Sequence, residues 1–373
     1  MIAGRPAAAF AVALACVVTG LYACDRGTPA TGKRERHLAI YNWSDYIGKT
    51  TIADFERETG IKVEYDTFDS DSTLEAKMLA GGAGYDVVST SQNFFSRQIK
   101  AGAYQVVDRG RLPNWKNVDP EVLRTIAPFD PGNAHAVPYL HSYDGFAYNV
   151  PMIRARLKDA PIDSLDMLFN PEVVKHFADC GVTFLDSPGE VLQLALVYLK
   201  LDPNTDRPED FNAAEALVLK VRPYISQFNS EYLNALATGE TCVAMGWSSD
   251  YAIAADRARE AGVDLPLAFT IPKEGTSNTV NGWLIPFDAP DVAEAHEFIN
   301  YMLRPDVIAR VTNDTHYPNE VPASREFLDS SILNDPALYP PPELRARAFM
   351  PGEIKASTER LRTRTWTRIK TAL

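Results

Sequence analysis

The chain has 373 residues, a length that fits about two domains. It carries 37 Lys+Arg against 49 Asp+Glu, a net charge of −12, which argues against nucleic acid or an anionic membrane surface as a partner. Hydrophobic residues at 46% and charged ones at 23% are ordinary globular values and exclude a disordered or multi-spanning chain.

The chain opens with Arg5 and an apolar run from Ala7 to Ala23, short for a stable membrane span. A charged start, an apolar middle and a small residue at the end predict a secretory signal over 1–23. Leu21-Tyr22-Ala23-Cys24 resembles the lipobox of bacterial lipoproteins, with Tyr22 bulkier than that pattern favours. Cys24 is therefore the expected lipidation site, and residues 24–35, polar with Gly, Pro and Thr, are the expected tether. The alternative is a plain secretory signal cut nearby. Cys16 leaves with the signal, so Cys180 and Cys242 remain, 62 residues apart. In an exported chain two such cysteines either pair or stay as buried thiols; a bond would contribute about 4 kcal/mol in the chain-entropy model.

Strand-like and helix-like segments then alternate. His37–Tyr41 reads as a strand, Thr50–Thr59 as an amphipathic helix closed by Gly60, and Ile61–Tyr65 as a strand. Ser72–Ala80 reads as a helix and Tyr85–Ser89 as a strand. The rhythm returns with strands at Gly181–Leu185, Cys242–Trp247, Leu265–Ile271 and Asn281–Pro286. Helices are expected near Glu190–Leu199, Tyr251–Ala261 and Val292–Leu303. Glu353–Thr371 reads as a basic helix with a solvated face. This β-α-β order predicts an α/β fold with a largely parallel sheet.

In open α/β sheets, ligands bind beyond the carboxyl ends of the strands. The residues there are Trp43-Ser44-Asp45-Tyr46, Ser91-Gln92-Asn93, Asp186-Ser187-Pro188-Gly189-Glu190, Trp247-Ser248-Ser249-Asp250 and Thr279-Val280-Asn281. They are aromatic, acidic and hydroxylated, with no Lys or Arg. Aromatic faces attract an ammonium with ~1–2 kcal/mol when desolvated. A carboxylate bonded to it adds roughly 1.5–3 kcal/mol. The pattern suits a small organic cation. Each residue also has a plainer reading: Trp43, Trp247 and Tyr317 as core, Asp250 as the cap of the helix behind it, Glu190 as a first-turn residue favoured by the helix dipole. No His pair sits at helical metal-ligand spacing, and Gly246-Trp247-Ser248-Ser249 lacks the second Gly of a nucleophile elbow. No cofactor, no metal and no enzymatic activity are expected.

Six segments in register resemble the periplasmic polyamine-binding proteins of bacterial ABC importers, in particular the putrescine-binding branch. They are Tyr41-Asn42-Trp43-Ser44-Asp45-Tyr46-Ile47, Glu58-Thr59-Gly60-Ile61-Lys62-Val63, Gly246-Trp247, Ile271-Pro272-Lys273-Glu274-Gly275, Leu303-Arg304-Pro305-Asp306-Val307 and Arg362-Thr363-Arg364-Thr365-Trp366-Thr367. The resemblance implies a two-lobed periplasmic-binding-protein fold, each lobe a mainly parallel sheet flanked by helices, with the ligand between lobes that close on it. Lobe one is then expected over 36–145 plus 266–318, and lobe two over 146–265 plus 319–373. It also implies a disulfide between Cys180 and Cys242.

Carried over by position, Trp43, Ser44, Asp45 and Tyr46 match the first cleft segment and Ser91 a cleft serine. Glu190 matches a carboxylate facing the amine, Trp247 an aromatic wall, and Asp250 the carboxylate of the putrescine branch. Tyr317 matches a cleft tyrosine and Asn229 a minor polar position. Asn93 stands where the spermidine branch has an aromatic. Two departures stand out: Asn281 replaces the usual Asp, and Thr279 replaces an aromatic wall residue. The loss of that charge alone is expected to weaken diamine binding by roughly 10–100-fold, unless Asp45 or Trp283 compensates. The implied function is the substrate-binding component of a polyamine ABC importer: a monomer in the periplasm, held to a membrane only through a lipid on Cys24, delivering a cationic amine to an inner-membrane permease. The alternative is an amine sensor that presents its closed form to a membrane receptor.

Overall fold

The computed structural model describes residues 35–68 and 70–372. The signal at 1–23, Cys24 and all but the last residue of the 24–35 tether lie outside the described residues. Ten strands follow in chain order: β1 His37–Trp43, β2 Lys62–Phe68, β3 Val87–Ser91, β4 Val137–Asn149, β5 Val182–Phe184, β6 Gln227–Phe228, β7 Val243–Trp247, β8 Leu267–Thr270, β9 Thr276–Leu284 and β10 Ala348–Phe349. Their order is β2-β1-β3-β9-β4-β7-β5-β6, with β8 on β4 and β10 on β9. The outer pairings β1–β2, β1–β3, β5–β6 and β5–β7 are parallel, as the alternating rhythm predicts. The pairings of β4 and β9 with each other, with β3, with β7 and with β8 are antiparallel.

Those two strands hold the architecture together. The first half of β4 pairs with β9, from Val137↔Trp283 to Tyr143↔Asn278. Its second half pairs with β7 on one side and β8 on the other, from Asp144↔Trp247 to Asn149↔Leu267. The strand is 13 residues long and almost wholly buried, so no two-residue alternation marks it in the sequence. Pro138 and Gly145 also read as breakers. Pro138 sits beside a register shift, where a ladder tolerates proline. Gly145 is required by close approach: a Cβ there would lie 2.1 Å from the Thr270 carbonyl oxygen.

The apolar side chains gather into separate cores. One runs from Phe146 to Ala258 and adds Trp366 and Ile369. It surrounds the helix Pro188–Tyr198, in which every residue from Val191 to Leu196 is buried, as expected of a helix enclosed on all sides. The others draw on 38–140 and 280–321. Each fully buried Leu or Phe contributes about 1.5–3 kcal/mol, so each core stabilises its own set of strands. The Cys180–Cys242 disulfide is formed, with a Cα–Cα distance of 5.5 Å, and joins the segments leading into β5 and β7. The last helix is Ala356–Thr371. It is not simply solvated: Arg362 and Trp366 are buried, and the Trp366 indole donates to Asp186 Oδ1 at 2.8 Å. Among the described residues no helix is long and apolar enough to cross a membrane.

Candidate functional site

A cleft of about 510 Å³ is lined by residues at the carboxyl ends of β1, β3 and β7 and by residues within β4 and β9. The structure brings Trp43, Ser44, Asp45, Tyr46, Ser91, Glu190, Trp247, Asp250, Asn281 and Tyr317 to its wall, with Asn93 and Thr279. Asn229 is not on that wall. Its side chain accepts from the Glu231 backbone N–H, and its neighbours Ser230 and Glu231 line the cleft instead.

Asp250 is the first residue of the helix Asp250–Glu260 and only 5% exposed. Its two oxygens are filled by phenols. Tyr232 donates to Oδ2 at 2.6 Å and Tyr317 donates to Oδ1 at 2.7 Å. Burial pushes its pKa up to about 6, against the lowering effect of the two hydroxyls. Gly246 makes the room for this. A Cβ there would stand 1.6 Å from the Tyr232 hydroxyl, which also accepts from the Trp247 N–H at 3.1 Å. His316, in the left-handed region at φ 60°, turns the chain so that Tyr317 can reach over. Its carbonyl accepts from Ser249 Oγ and its ring pairs with Asp256 at 2.9 Å.

Tyr46 stands edge-on to Tyr317, with ring centroids 4.5 Å apart. Its hydroxyl accepts from Asn281 Nδ2 at 3.0 Å, while Asn281 Oδ1 is buried without a hydrogen-bond partner among the described residues. Trp43, at the end of β1, leans on Phe68 at 4.5 Å. Asp45 follows in the left-handed region at φ 55°, a conformation Asp tolerates in turns. It meets Arg257 across the mouth at 2.7 Å. Trp283 is enclosed in the core and does not lean into the cleft.

The strand-end rule passes over six further charged residues on the wall: Asp71, Asp144, Glu231, Arg257, Glu359 and Arg362. Asp71 opens the helix Asp71–Ala80 and accepts from Thr90 Oγ1 at 2.5 Å and Ser91 Oγ at 2.6 Å. Asp144 lies in mid-β4 and accepts from Ser277 Oγ. Asp144 is buried and Asp71 half-buried; desolvation of the carboxylates raises their pKa, Asp71 to about 6, and Glu190 raises both further. The signal for Asp144 is that it is the one carboxylate in β4. Arg362 is only 4% exposed and forms no ion pair among the described residues. Among the described residues no cluster of three or more His, Cys, Asp or Glu could hold a metal ion. The arrangement, with aromatic edges around buried carboxylates, can hold an organic cation.

The bacterial extracellular solute-binding protein family matches residues 50–340. The putrescine-binding periplasmic protein SpuD of Pseudomonas aeruginosa is 44% identical over 335 residues, covering 89% of this chain and 91% of that one. The putrescine-binding periplasmic protein PotF of Escherichia coli is 43% identical, covering 95% and 96%. A solved structure from Listeria monocytogenes, assigned to spermidine/putrescine transport, superposes with a TM-score of 0.80 at 27% identity, covering 90% of this chain and 99% of that one. The chain belongs to the bacterial extracellular solute-binding protein family, among relatives that are periplasmic polyamine-binding proteins.

Proposed function

We propose that this chain is the extracytoplasmic substrate-binding component of an ABC importer for polyamines. In this reading it takes a putrescine-type diamine or a related amine into the cleft and delivers it to an inner-membrane permease. The observation that carries the reading is Asp250: a buried carboxylate oriented by two tyrosine hydroxyls in an aromatic-walled cleft. Trp43, Tyr46, Trp247 and Tyr317 would pack the methylene chain and face the ammonium. Ser44, Asp45, Ser91 and Glu190 would supply acceptors, and Asn281 one neutral acceptor. Asn229 would act at most from behind the wall.

The two lobes would be 36–145 plus 266–318 and 146–265 plus 319–373, in keeping with the separate cores and the one strand, β4, that crosses between them. They would close over the ligand about β4. The protein would work as a monomer in the periplasm, anchored through a lipid on Cys24. The relatives do not favour the sensing alternative.

Calorimetric titration tests the function. The protein is unfolded and refolded to strip co-purified ligand, then titrated with putrescine, cadaverine, spermidine and agmatine. Saturable binding at or below about 1 μM, roughly −8 kcal/mol, is expected for at least one of them. A folded sample that gives no heat with any of the four would overturn the reading. Mass spectrometry of the membrane fraction tests the anchor: an unmodified, soluble N-terminus would sink it.

A further inference from the structure

The last helix, Ala356–Thr371, begins without a cap. Its N-cap residue is Lys355, whose side chain offers the first turn no acceptor. The first hydrogen bond at this end runs from the Glu359 N–H to the Lys355 carbonyl at 2.9 Å. The N–H groups of Ala356, Ser357 and Thr358 therefore have no acceptor among the described residues. Three such donors at the positive end of a helix dipole favour an anion.

A second feature points the same way. Arg362 lies one turn beyond Thr358 on the same helix face, and side chains of a helix lean back towards its N-terminus. Arg362 is only 4% exposed, and its Nε is buried with no hydrogen-bond partner among the described residues. Burial pushes its pKa down from the ordinary guanidinium value, while Glu359 and Glu190 act on it only through space. The Phe211 ring, 5.9 Å away, is a weak substitute for an anion. Arg362 and Thr358 line a cavity of about 70 Å³ together with Asn204, Asp206, Glu353 and Lys355. The two acids on that wall are engaged: Asp206 with Lys355 at 2.6 Å, and Glu353 with Lys100 and, at 3.2 Å, with Ser96. The guanidinium is the charge left to balance.

We propose that this cavity is a site for a small tetrahedral oxyanion, inorganic phosphate or sulfate, held by the three free N–H groups at the start of the last helix and by Arg362. Arg362 also lines the amine cleft, where its charge opposes a cationic ligand. An anion behind it cancels that opposition, so anion and amine should each tighten the other, as linkage requires. The coupling rests on the reading of the cleft as an amine site; the anion site does not.

The test follows the melting temperature of the exported full chain, purified and stripped of ligand, on titration with sodium sulfate or sodium phosphate. Ionic strength is held constant with sodium chloride. A saturating rise is expected, with half its effect at or below about 10 mM. Sulfate also stabilises folded proteins by exclusion from their surface, but without saturation and alike in every variant. Arg362→Gln is expected to lose the saturating part. Thr358→Asp places a carboxylate in the cavity one turn from Arg362. It should melt higher than wild type without added anion and should also lose the saturating part, which keeps the test decisive if Arg362→Gln fails to fold. Calorimetry should show putrescine binding about fivefold more tightly to wild type in saturating sulfate, and unchanged in Arg362→Gln. No saturating response of wild type to either anion would overturn the site, as would a folded variant that keeps the full response. A response with unchanged amine affinity would overturn the coupling alone. Absence of binding to every amine in saturating sulfate would remove the amine reading and leave the anion site standing.

Discussion

Asp250 and Asp144 are buried carboxylates in one cleft, held in opposite ways. Asp250 starts a helix and has a phenol on each oxygen. Asp144 sits in the middle of a strand with one hydroxyl on one oxygen. The first is oriented before any ligand arrives, and it keeps its acceptor capacity for a third contact. The second is oriented on one side and open on the other. A binding site can therefore draw on two kinds of buried charge, one that is pre-positioned and one that is left incomplete.

Removing the charge of the pre-positioned group should have the largest effect. Asp250→Asn is expected to weaken the best amine about 100-fold by calorimetry, because a charge-assisted contact becomes a neutral one. Making Asp250 resemble Asp144 comes next. Gly246→Ala forces a methyl into the Tyr232 hydroxyl, so about 2–3 kcal/mol of stability should be lost in a denaturant melt and the amine should bind less tightly. Tyr317→Phe bares Asp250 Oδ1 more gently. It should cost about 1 kcal/mol, read as a several-fold loss of affinity and a further rise of the Asp250 pKa above about 6.

The pH dependence separates ligand binding from stability. Asp250 and Asp71 are each pushed by burial to about 6, above their ordinary range. A raised carboxylate pKa means that the folded state takes up protons more readily than the unfolded one. The ligand-free protein should therefore gain stability from these two groups as pH falls from above 6 towards 4, with no further gain below that. Amine affinity should move the other way, falling as pH drops through about 6, up to roughly tenfold per unit for each carboxylate the ligand needs ionised. Melting temperature and titration across pH 5–8 check both directions. The smallest effect should come from the mouth. Asp45 and Arg257 are both substantially exposed, so Asp45→Asn is expected to change affinity by less than about 1 kcal/mol, with a difference that shrinks in high salt.

The outer parallel strands β1, β2, β3, β5 and β7 are readable because each alternates with a helix and ends in a turn signal, whereas the two-residue β6 carries no such signal. Asp45, Glu190 and Asp250 follow such strands, so the strand-end rule found them. The crossing strand β4 was not readable, and Asp144 was lost with it. Burial on both faces removes the two-residue period, and Pro138 and Gly145 argue for a break unless the register shift and the Thr270 carbonyl are already known. Asp71 was hidden for a different reason: at a helix start an Asp has an adequate local role. Arg362 was hidden by its company, since a run of basic residues on a terminal helix reads as solvated until one of them is found facing inwards. Asn229 illustrates the converse, since the chain around it reaches the cleft wall at Ser230 and Glu231 while its own side chain caps a turn.

The shared strand also bears on how the protein comes apart. β4 gives its first seven residues to a ladder with β9 and its last six to ladders with β7 and β8. Fraying one half would strip a neighbour from the other, so neither can be lost at its own free energy. Thermal denaturation should accordingly follow one cooperative transition, and amides along β4 should be among the slowest to exchange with deuterium, released only by global unfolding.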